Sequence, residues 1–87
     1  MSNFSVINSQ DSIINALQTA ILKAIPTAHV EVQSPSSGHF TISVTDKIFA
    51  GKNRVESQRL VYAAITPLMS GDHPPVHAID SLRTLTP

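Results

Sequence analysis

The sequence predicts an α+β fold in which two helices cover one face of a three-stranded mixed sheet. Apolar residues recur at three- and four-residue spacing in two segments and alternate with polar residues in three others. These segments follow one another as helix, strand, strand, helix, strand. The 87 residues allow only one domain. We therefore expect a single domain over residues 1–87, with the short polar start, residues 1–8, flexible.

A first helix is predicted over about residues 10 to 24. Ser9 can cap its start, and Pro26 closes it because proline cannot continue a helix. Asp11 lies early and Lys23 late, each at the end where the helix dipole favours its charge. The apolar residues form one broad face that must pack on another element. They are Ile13, Ile14, Leu17, Ile21, Leu22 and Ile25.

Two strands follow, and they are predicted to pair as a hairpin. Residues 34–38, Ser-Pro-Ser-Ser-Gly, have turn composition and hairpin length, so the strands should be antiparallel with one apolar and one polar face. His39 then lies at the exit of the turn, on the polar face. The alternating apolar residues are Val30 and Val32 in the first strand and Phe40, Ile42 and Val44 in the second.

A turn and a second helix come next. Gly51 gives the turn backbone freedom, and Phe49 is expected to anchor it in the core. The helix starts near Arg54. Because Pro67 removes a hydrogen-bond donor and clashes one turn back, we expect a kink there, or a restart capped by Thr66, rather than one straight helix. The predicted buried stripe is Val61, Ala64, Ile65 and Leu68.

A last strand is predicted over residues 76–85, after a loop rich in glycine and proline. Ile79 and Leu82 are three residues apart, so both can face the core only if one extra residue bulges out. The most plausible position for this bulge is Asp80 or Ser81. The strand is reached through a helical crossover, so it should run parallel to its neighbour.

The composition removes several classes of function. With no cysteine, the chain offers no disulfide and no thiolate ligand, and with zero formal charge it has no strong general attraction to nucleic acid or anionic lipid. Nucleophile elbows, phosphate-binding glycine loops and clustered carboxylates are all absent, so we expect no enzymatic activity. No apolar run approaches the roughly 18 residues that a membrane span needs, and the N-terminus lacks the basic start and hydrophobic stretch of a secretion signal. We therefore expect a cytoplasmic protein with no membrane partner.

Four histidines are the candidate metal ligands, although none has a metal-binding spacing. His29 at a strand start and His73 in a loop are interpreted as solvated polar residues. His39 follows a flexible turn and is accessible. His77 follows two prolines that stiffen its approach. Taken alone, each of these last two is also more typical of a structural residue than of a ligand.

A basic segment is the candidate anion-binding region. Four basic residues and one acidic residue lie between positions 47 and 59, so the segment carries a charge of +3. These cations could contact phosphates near a helix start. A solvated helix start is the simpler interpretation, because few aromatic residues remain for base stacking. The four cations are Lys47, Lys52, Arg54 and Arg59.

The combined motifs of the second half are specific, and they resemble the BolA family from Gly38-His-Phe40 to the C-terminus. A Gln58-Arg59 pair, where many members have His-Arg, resembles the acid-stress branch called IbaG. One extra residue between His77 and the C-terminal motif departs from the usual spacing and fits the predicted bulge. The motifs are Phe49-Ala-Gly-Lys52, Arg54-Val-Glu-Ser-Gln-Arg-Leu-Val-Tyr62-Ala-Ala, Val76-His-Ala-Ile79 and Thr84-Leu-Thr-Pro87.

The resemblance implies a fold similar to class II KH domains and a non-enzymatic protein that is a monomer or weak homodimer when alone. It also implies pairing with a monothiol glutaredoxin. The two proteins would share a two-iron two-sulfur (2Fe-2S) cluster, with glutathione and the partner's cysteine supplying thiolates. His77 matches the ligand in the family's Val-His-Ala motif, and His39 is the candidate second ligand.

The alternative that the resemblance implies is a DNA-binding regulator of transcription in the stress response, which would use the four cations of the basic segment. Residues 51–54 read Gly-Lys-Asn-Arg, which departs from the Gly-x-x-Gly clamp of true KH domains.

Overall fold

The structure, a computed structural model, describes residues 10–87. The predicted flexibility of residues 1–8 and the predicted cap at Ser9 lie outside these residues. The two helices and three strands follow the predicted order, with a short 3₁₀ turn at Lys47–Phe49 before the second helix. The elements are α1 (Gln10–Ala24), β1 (His29–Ser36), β2 (His39–Thr45), α2 (Arg54–Met69) and β3 (Ala78–Leu85).

The sheet has the order β1-β2-β3, with β2 in the centre. β1 pairs antiparallel with β2, and β3 pairs parallel with β2, as predicted for a strand reached through a helical crossover. Phe40 lies opposite Ile79, and Thr41 lies opposite Ser81, so Asp80 is an extra residue in the ladder. This confirms the predicted bulge, and it lets both Ile79 and Leu82 pack against the core.

The hairpin is tighter than predicted. β1 continues to Ser36, so only residues 37 and 38 form the turn, and the pairing shifts between Gln33 and Ser36. Gly38 has a φ of 77°, which glycine adopts without strain. The five-residue loop inferred from composition was therefore wrong in its bounds, because an irregular pair of residues at Ser34 and Pro35 lies inside the strand.

The core lies between the helices and one face of the sheet. Alternate residues of β2 are buried, and the other face of the sheet is polar, as expected. Phe49 is 4% exposed and anchors the turn before α2, as predicted. The buried apolar residues are Leu17, Ile21, Ile25, Val32, Phe40, Ile42, Val44, Phe49, Val61, Ile65 and Val76.

α2 runs without interruption from Arg54 to Met69, so the predicted restart at Pro67 was wrong. Pro67 is the third residue from the end, and its missing N–H deprives only the carbonyl of Ala63, an exposed residue, of its helical partner. The Thr66 hydroxyl does not cap a new helix. It donates to the carbonyl of Tyr62 at 2.6 Å. The predicted kink stays a prediction.

Asp46 ties the end of β2 to the chain before β1. Its carboxylate accepts from the Thr27 hydroxyl at 2.6 Å and from the backbone N–H of Ile48 at 2.8 Å. The Thr27 bond, followed by the Ile48 bond, holds the pKa of Asp46 below its ordinary value, although partial burial opposes this. The carboxylate thereby caps the 3₁₀ turn that leads into α2.

No helix in residues 10–87 combines the length and apolarity needed to cross a membrane.

Candidate functional site

The imidazole of His77 is exposed, while hydrogen bonds and the burial of Val76 hold the backbone before and after it. Val76 before it is 1% exposed, and its N–H donates to the carbonyl of Leu68 at 3.2 Å. The N–H groups of His77 and Ala78 both donate to the carbonyl of Gly38, at 2.9 and 3.1 Å. The stiff approach predicted for His77 is therefore reinforced by burial and by two bonds to the hairpin turn.

The ring of His77 lies against the turn at Gly38. A Cβ atom built on Gly38 would lie 3.0 Å from Cγ of His77 and 3.2 Å from Cδ2. The Gly38 N–H also donates to Oε1 of Gln10, at 3.3 Å, so the start of α1 helps to hold the turn. Two features favour glycine at this position: the positive φ and the close approach of the imidazole.

His39 follows Gly38 and lies on the polar face of the sheet, as predicted. Its side chain is 44% exposed, and its Nδ1 lies 2.9 Å from Oδ1 of Asp80. A carboxylate only accepts hydrogen bonds, so the neutral ring carries its proton on Nδ1 and leaves Nε2 free as an acceptor or ligand. The role of Asp80 was not predicted from the sequence, although a bulge was predicted at this place.

The structure brings His39 and His77 to the same end of neighbouring strands. His39 lies opposite Ala78, the residue after His77, in the β2–β3 ladder. A shallow cleft of about 430 Å³ beside His77 is also lined by Asp72, His73 and Pro74. Within residues 10–87, no three histidine, cysteine or acidic side chains are grouped closely enough to hold a metal ion. This end of the sheet can therefore supply imidazole ligands but not a complete coordination shell.

His29 is placed elsewhere, at the start of β1. Its Nε2 lies 2.9 Å from Oε2 of Glu31, and both side chains are more than half exposed. The interpretation of His29 as a solvated polar residue agrees with this position.

The four predicted cations do not form one cluster. Lys52 and Arg54 line a cleft of about 720 Å³ between the start of α2 and β3, whereas Lys47 lines a separate cleft with Pro87. Arg59 is exposed on α2 and lines neither cleft.

We call the larger space the α2–β3 cleft, which is lined by Lys52, Arg54, Gln58, Leu82, Arg83 and Thr84, among others. Arg83 was missed because it lies far along the chain from the basic segment, and only the fold brings it there. Its alternation with the inward-facing Leu82 gave no signal for this place, because it predicts the polar face of the sheet, where Arg83 also lines a cleft with Glu31.

Within residues 10–87, the carboxylates near the start of α2 do not pair with Lys52 or Arg54. Asn53 caps the helix by accepting from the N–H of Glu56 at 2.8 Å, and the Glu56 carboxylate accepts from the N–H of Asn53 at 3.1 Å. Across residues 10–87, no lysine or arginine lies within 4.0 Å of a carboxylate. Lys52 donates instead to the carbonyl of Ile48, at 3.0 Å.

Comparisons with known proteins match this architecture. The family model described as BolA-like protein matches residues 13–87. BolA1 from Arabidopsis thaliana has a TM-score of 0.70 at 21% identity, with 85% of this chain and 90% of that chain covered. A bol-like protein from Babesia bovis has a TM-score of 0.65 at 26% identity, with 85% and 84% covered.

BolA1 from Mus musculus has a TM-score of 0.67 at 24% identity, with 86% of this chain and 65% of that chain covered. A comparison with curated proteins gave no significant match. The structural likenesses confirm the predicted α+β fold. The expected similarity to class II KH domains stays a prediction.

Proposed function

This chain belongs to the BolA-like protein family, and we propose on that premise that it is a non-enzymatic adaptor that pairs with a monothiol glutaredoxin. The two proteins would share a 2Fe-2S cluster and would hold or pass on that cluster together. His77 is the proposed ligand and His39 the proposed second ligand from this chain.

The observation that carries this proposal is the exposed ring of His77 on a fixed backbone. The buried Val76 and the bonds to the Gly38 carbonyl hold the main chain, while the imidazole itself faces solvent, where a partner can approach. The fixed main chain sets the point at which the imidazole leaves the strand, so a partner protein would meet it in one place.

The donor chemistry fits a cluster that is shared between two proteins. This chain has no cysteine, so thiolate ligands must come from the partner and from glutathione. Asp80 holds Nδ1 of His39, which is the carboxylate–histidine arrangement common behind metal-bound imidazoles. When bound, the cluster would supply one-electron chemistry at a potential that imidazole ligation raises above that of an all-thiolate site.

The test is to mix this protein with a glutaredoxin that carries the cluster and to record absorption and circular dichroism. We expect an altered spectrum with the wild type and the unaltered glutaredoxin spectrum with His77→Ala. His73→Ala is the matched control, because His73 lines the same cleft but is not a proposed ligand. An unchanged spectrum with the wild type, or equal glutaredoxin binding without cluster and without the His77 ring, would contradict the proposal.

His39 is tested in the same spectra. His39→Ala should change the wild-type spectrum, and Asp80→Ala should change it less, because His39 stays present but loses the partner that orients it. His29→Ala removes an exposed histidine elsewhere on the sheet and serves as the control. Spectra of His39→Ala that equal those of the wild type would remove His39 from the ligand set.

DNA binding is the alternative function, and the unpaired Lys52 and Arg54 in one cleft favour it. The alternative predicts binding that weakens steeply with salt and is lost when both are replaced by alanine. Lys47 and Arg59 lie away from that cleft, so single replacements there should have smaller effects. A gel-shift titration at low salt that shows no complex would exclude this function.

A further inference from the structure

β3 forms one edge of the sheet, and part of its backbone faces the α2–β3 cleft instead of another strand. The Asp46 N–H donates to the carbonyl of Leu85 at 3.0 Å, so the backbone groups of Leu85 point toward β2. In a parallel ladder the next residues in alternation point away. The backbone groups of Leu82 and Thr84 therefore face the cleft.

One of these outward groups already has a partner. The carbonyl of Leu82 accepts from Nε2 of Gln58 at 2.9 Å, which confirms its direction. Among residues 10–87, no strand pairs with β3 on this side. Within the described part of the chain, the Leu82 N–H and both backbone groups of Thr84 have no hydrogen-bond partner, so they can pair with an incoming strand.

The two edges of the sheet differ. β1 carries Pro35 and an irregularity between Gln33 and Ser36, features that discourage the addition of another strand. From Leu82 to Leu85, β3 has neither a proline nor a shift in register, and Leu85 is 37% exposed. Both edges also contain a regular stretch, residues 29–33 in β1 and 82–85 in β3, and only the stretch in β3 borders the α2–β3 cleft.

The positive charge of the α2–β3 cleft determines which kind of ligand can bind there. Lys52, Arg54 and Arg83 line the α2–β3 cleft, no carboxylate lines it, and none of the three forms an ion pair with residues 10–87. Arg83 also borders a cleft on the polar face that Glu31 lines, so Lys52 and Arg54 are the two cations that line the α2–β3 cleft alone. A second copy of this chain would bring its own three cations to the same edge and be repelled. Single-stranded nucleic acid would find no exposed ring for base stacking in the lining, because Phe49 is 4% exposed.

We propose that the α2–β3 cleft binds an extended acidic peptide, which adds to the free edge of β3 as a fourth strand. Residues 82–86 span about 13 Å, so the bound segment is about five residues long. Its main chain bonds to Leu82 and Thr84, and its carboxylates meet the three cations. The site lies at the end of β3 remote from His77, so the proposal does not depend on cluster binding.

The experiment uses the dye-labelled, terminally blocked peptide Val-Glu-Val-Asp-Val-Glu and fluorescence anisotropy at low salt. Replacing Lys52, Arg54 and Arg83 together by glutamine should weaken binding about tenfold, the combined effect of three exposed charge pairs. Lys23→Gln removes a cation outside the cleft and should leave the affinity unchanged. The same peptide with lysine at its acidic positions should not bind.

Thr84→Pro tests strand addition directly. It deletes an N–H that points away from β2, so the sheet keeps its own bonds while peptide affinity falls about fivefold. Thr84→Val is the matched control, because it keeps the N–H. In wild-type protein, the amides of Leu82 and Thr84 should also gain protection from hydrogen exchange when the peptide binds, which tests the proposal without any variant.

Three results would overturn it. Absence of binding or of amide protection excludes the peptide site. Binding that depends on the cations but not on the Thr84 N–H excludes strand addition. A 20-base-pair DNA duplex, or a second copy detected by sedimentation, that occupies the cleft while the peptide does not would assign the surface to that partner instead.

Discussion

Gly38→Ala is expected to disturb the candidate ligand His77 without touching that residue. The added methyl would lie 3.0 Å from Cγ, 3.2 Å from Cδ2 and 3.3 Å from Cβ of His77, which is tighter than ordinary van der Waals contact. His77 cannot simply withdraw, because its N–H donates to the carbonyl of the same Gly38 at 2.9 Å. The ring must therefore turn or the strand must shift.

A second glycine allows the effect to be separated into two parts. Gly51 has a φ of 79°, close to the 77° of Gly38, but a Cβ there meets nothing within 4 Å. Gly51→Ala thus measures backbone strain alone, about 1 kcal/mol. Gly38→Ala adds the steric contact, so we expect about 2 kcal/mol in total. For a domain of this size, each kcal/mol lowers Tm by about 4 to 8 °C.

The assay is thermal unfolding followed by circular dichroism, together with the cluster spectrum. His77→Ala removes the ring atoms that make the two closest contacts, so the double variant Gly38→Ala/His77→Ala should recover about 1 kcal/mol relative to the sum of the single changes. Gly38→Ala should also alter the cluster spectrum, whereas Gly51→Ala should not. Equal losses for Gly38→Ala and Gly51→Ala, with no coupling to His77, would refute the reasoning.

Two further predictions concern the elements that carry the sites. Gln58→Ala removes the bond to the Leu82 carbonyl and should lower the free energy of unfolding by about 1 kcal/mol, while Arg59→Ala, exposed beside it, should change it little; equal denaturant midpoints would contradict this. Thr27→Val removes the hydroxyl that lowers the pKa of Asp46, so this pKa should rise in an NMR titration. Because the lowered pKa contributes stability above about pH 4 that is lost as pH falls through the folded value, acid unfolding of Thr27→Val should begin at higher pH. An unchanged Asp46 titration would assign the lowered pKa to other partners.

Local patterns predicted most of the fold, because each one had a single structural solution. The alternation around Phe40 requires a half-buried strand, and the three-residue gap between Ile79 and Leu82 requires an extra residue in the ladder. Composition misled where two solutions compete. Pro35 is typical of a turn but is tolerated at a strand edge, and Pro67 ends many helices but is tolerated near the last turn.

The candidate sites were only partly predictable, since their residues come from segments far apart in the chain. His77 and His39 could be named from motifs, but the contact between the His77 ring and Gly38 depends on the β2–β3 register. Arg83 had no motif at all, and its place beside Lys52 follows from the packing of α2 against β3. The charge of the segment 47–59 therefore did not predict that Arg83 joins Lys52 and Arg54, or that Lys47 lies in a different cleft.

The bulge at Asp80 connects the core to the candidate ligand site. Two inward residues, Ile79 and Leu82, are three positions apart, an odd number, so an unbroken strand would turn one of them to solvent. The extra residue that solves this packing problem is itself released from the ladder, and its carboxylate is the group that holds Nδ1 of His39. The requirement of the core thus places a carboxylate beside an exposed imidazole, and the orientation of His39 follows from the same register shift that completes the packing of β3.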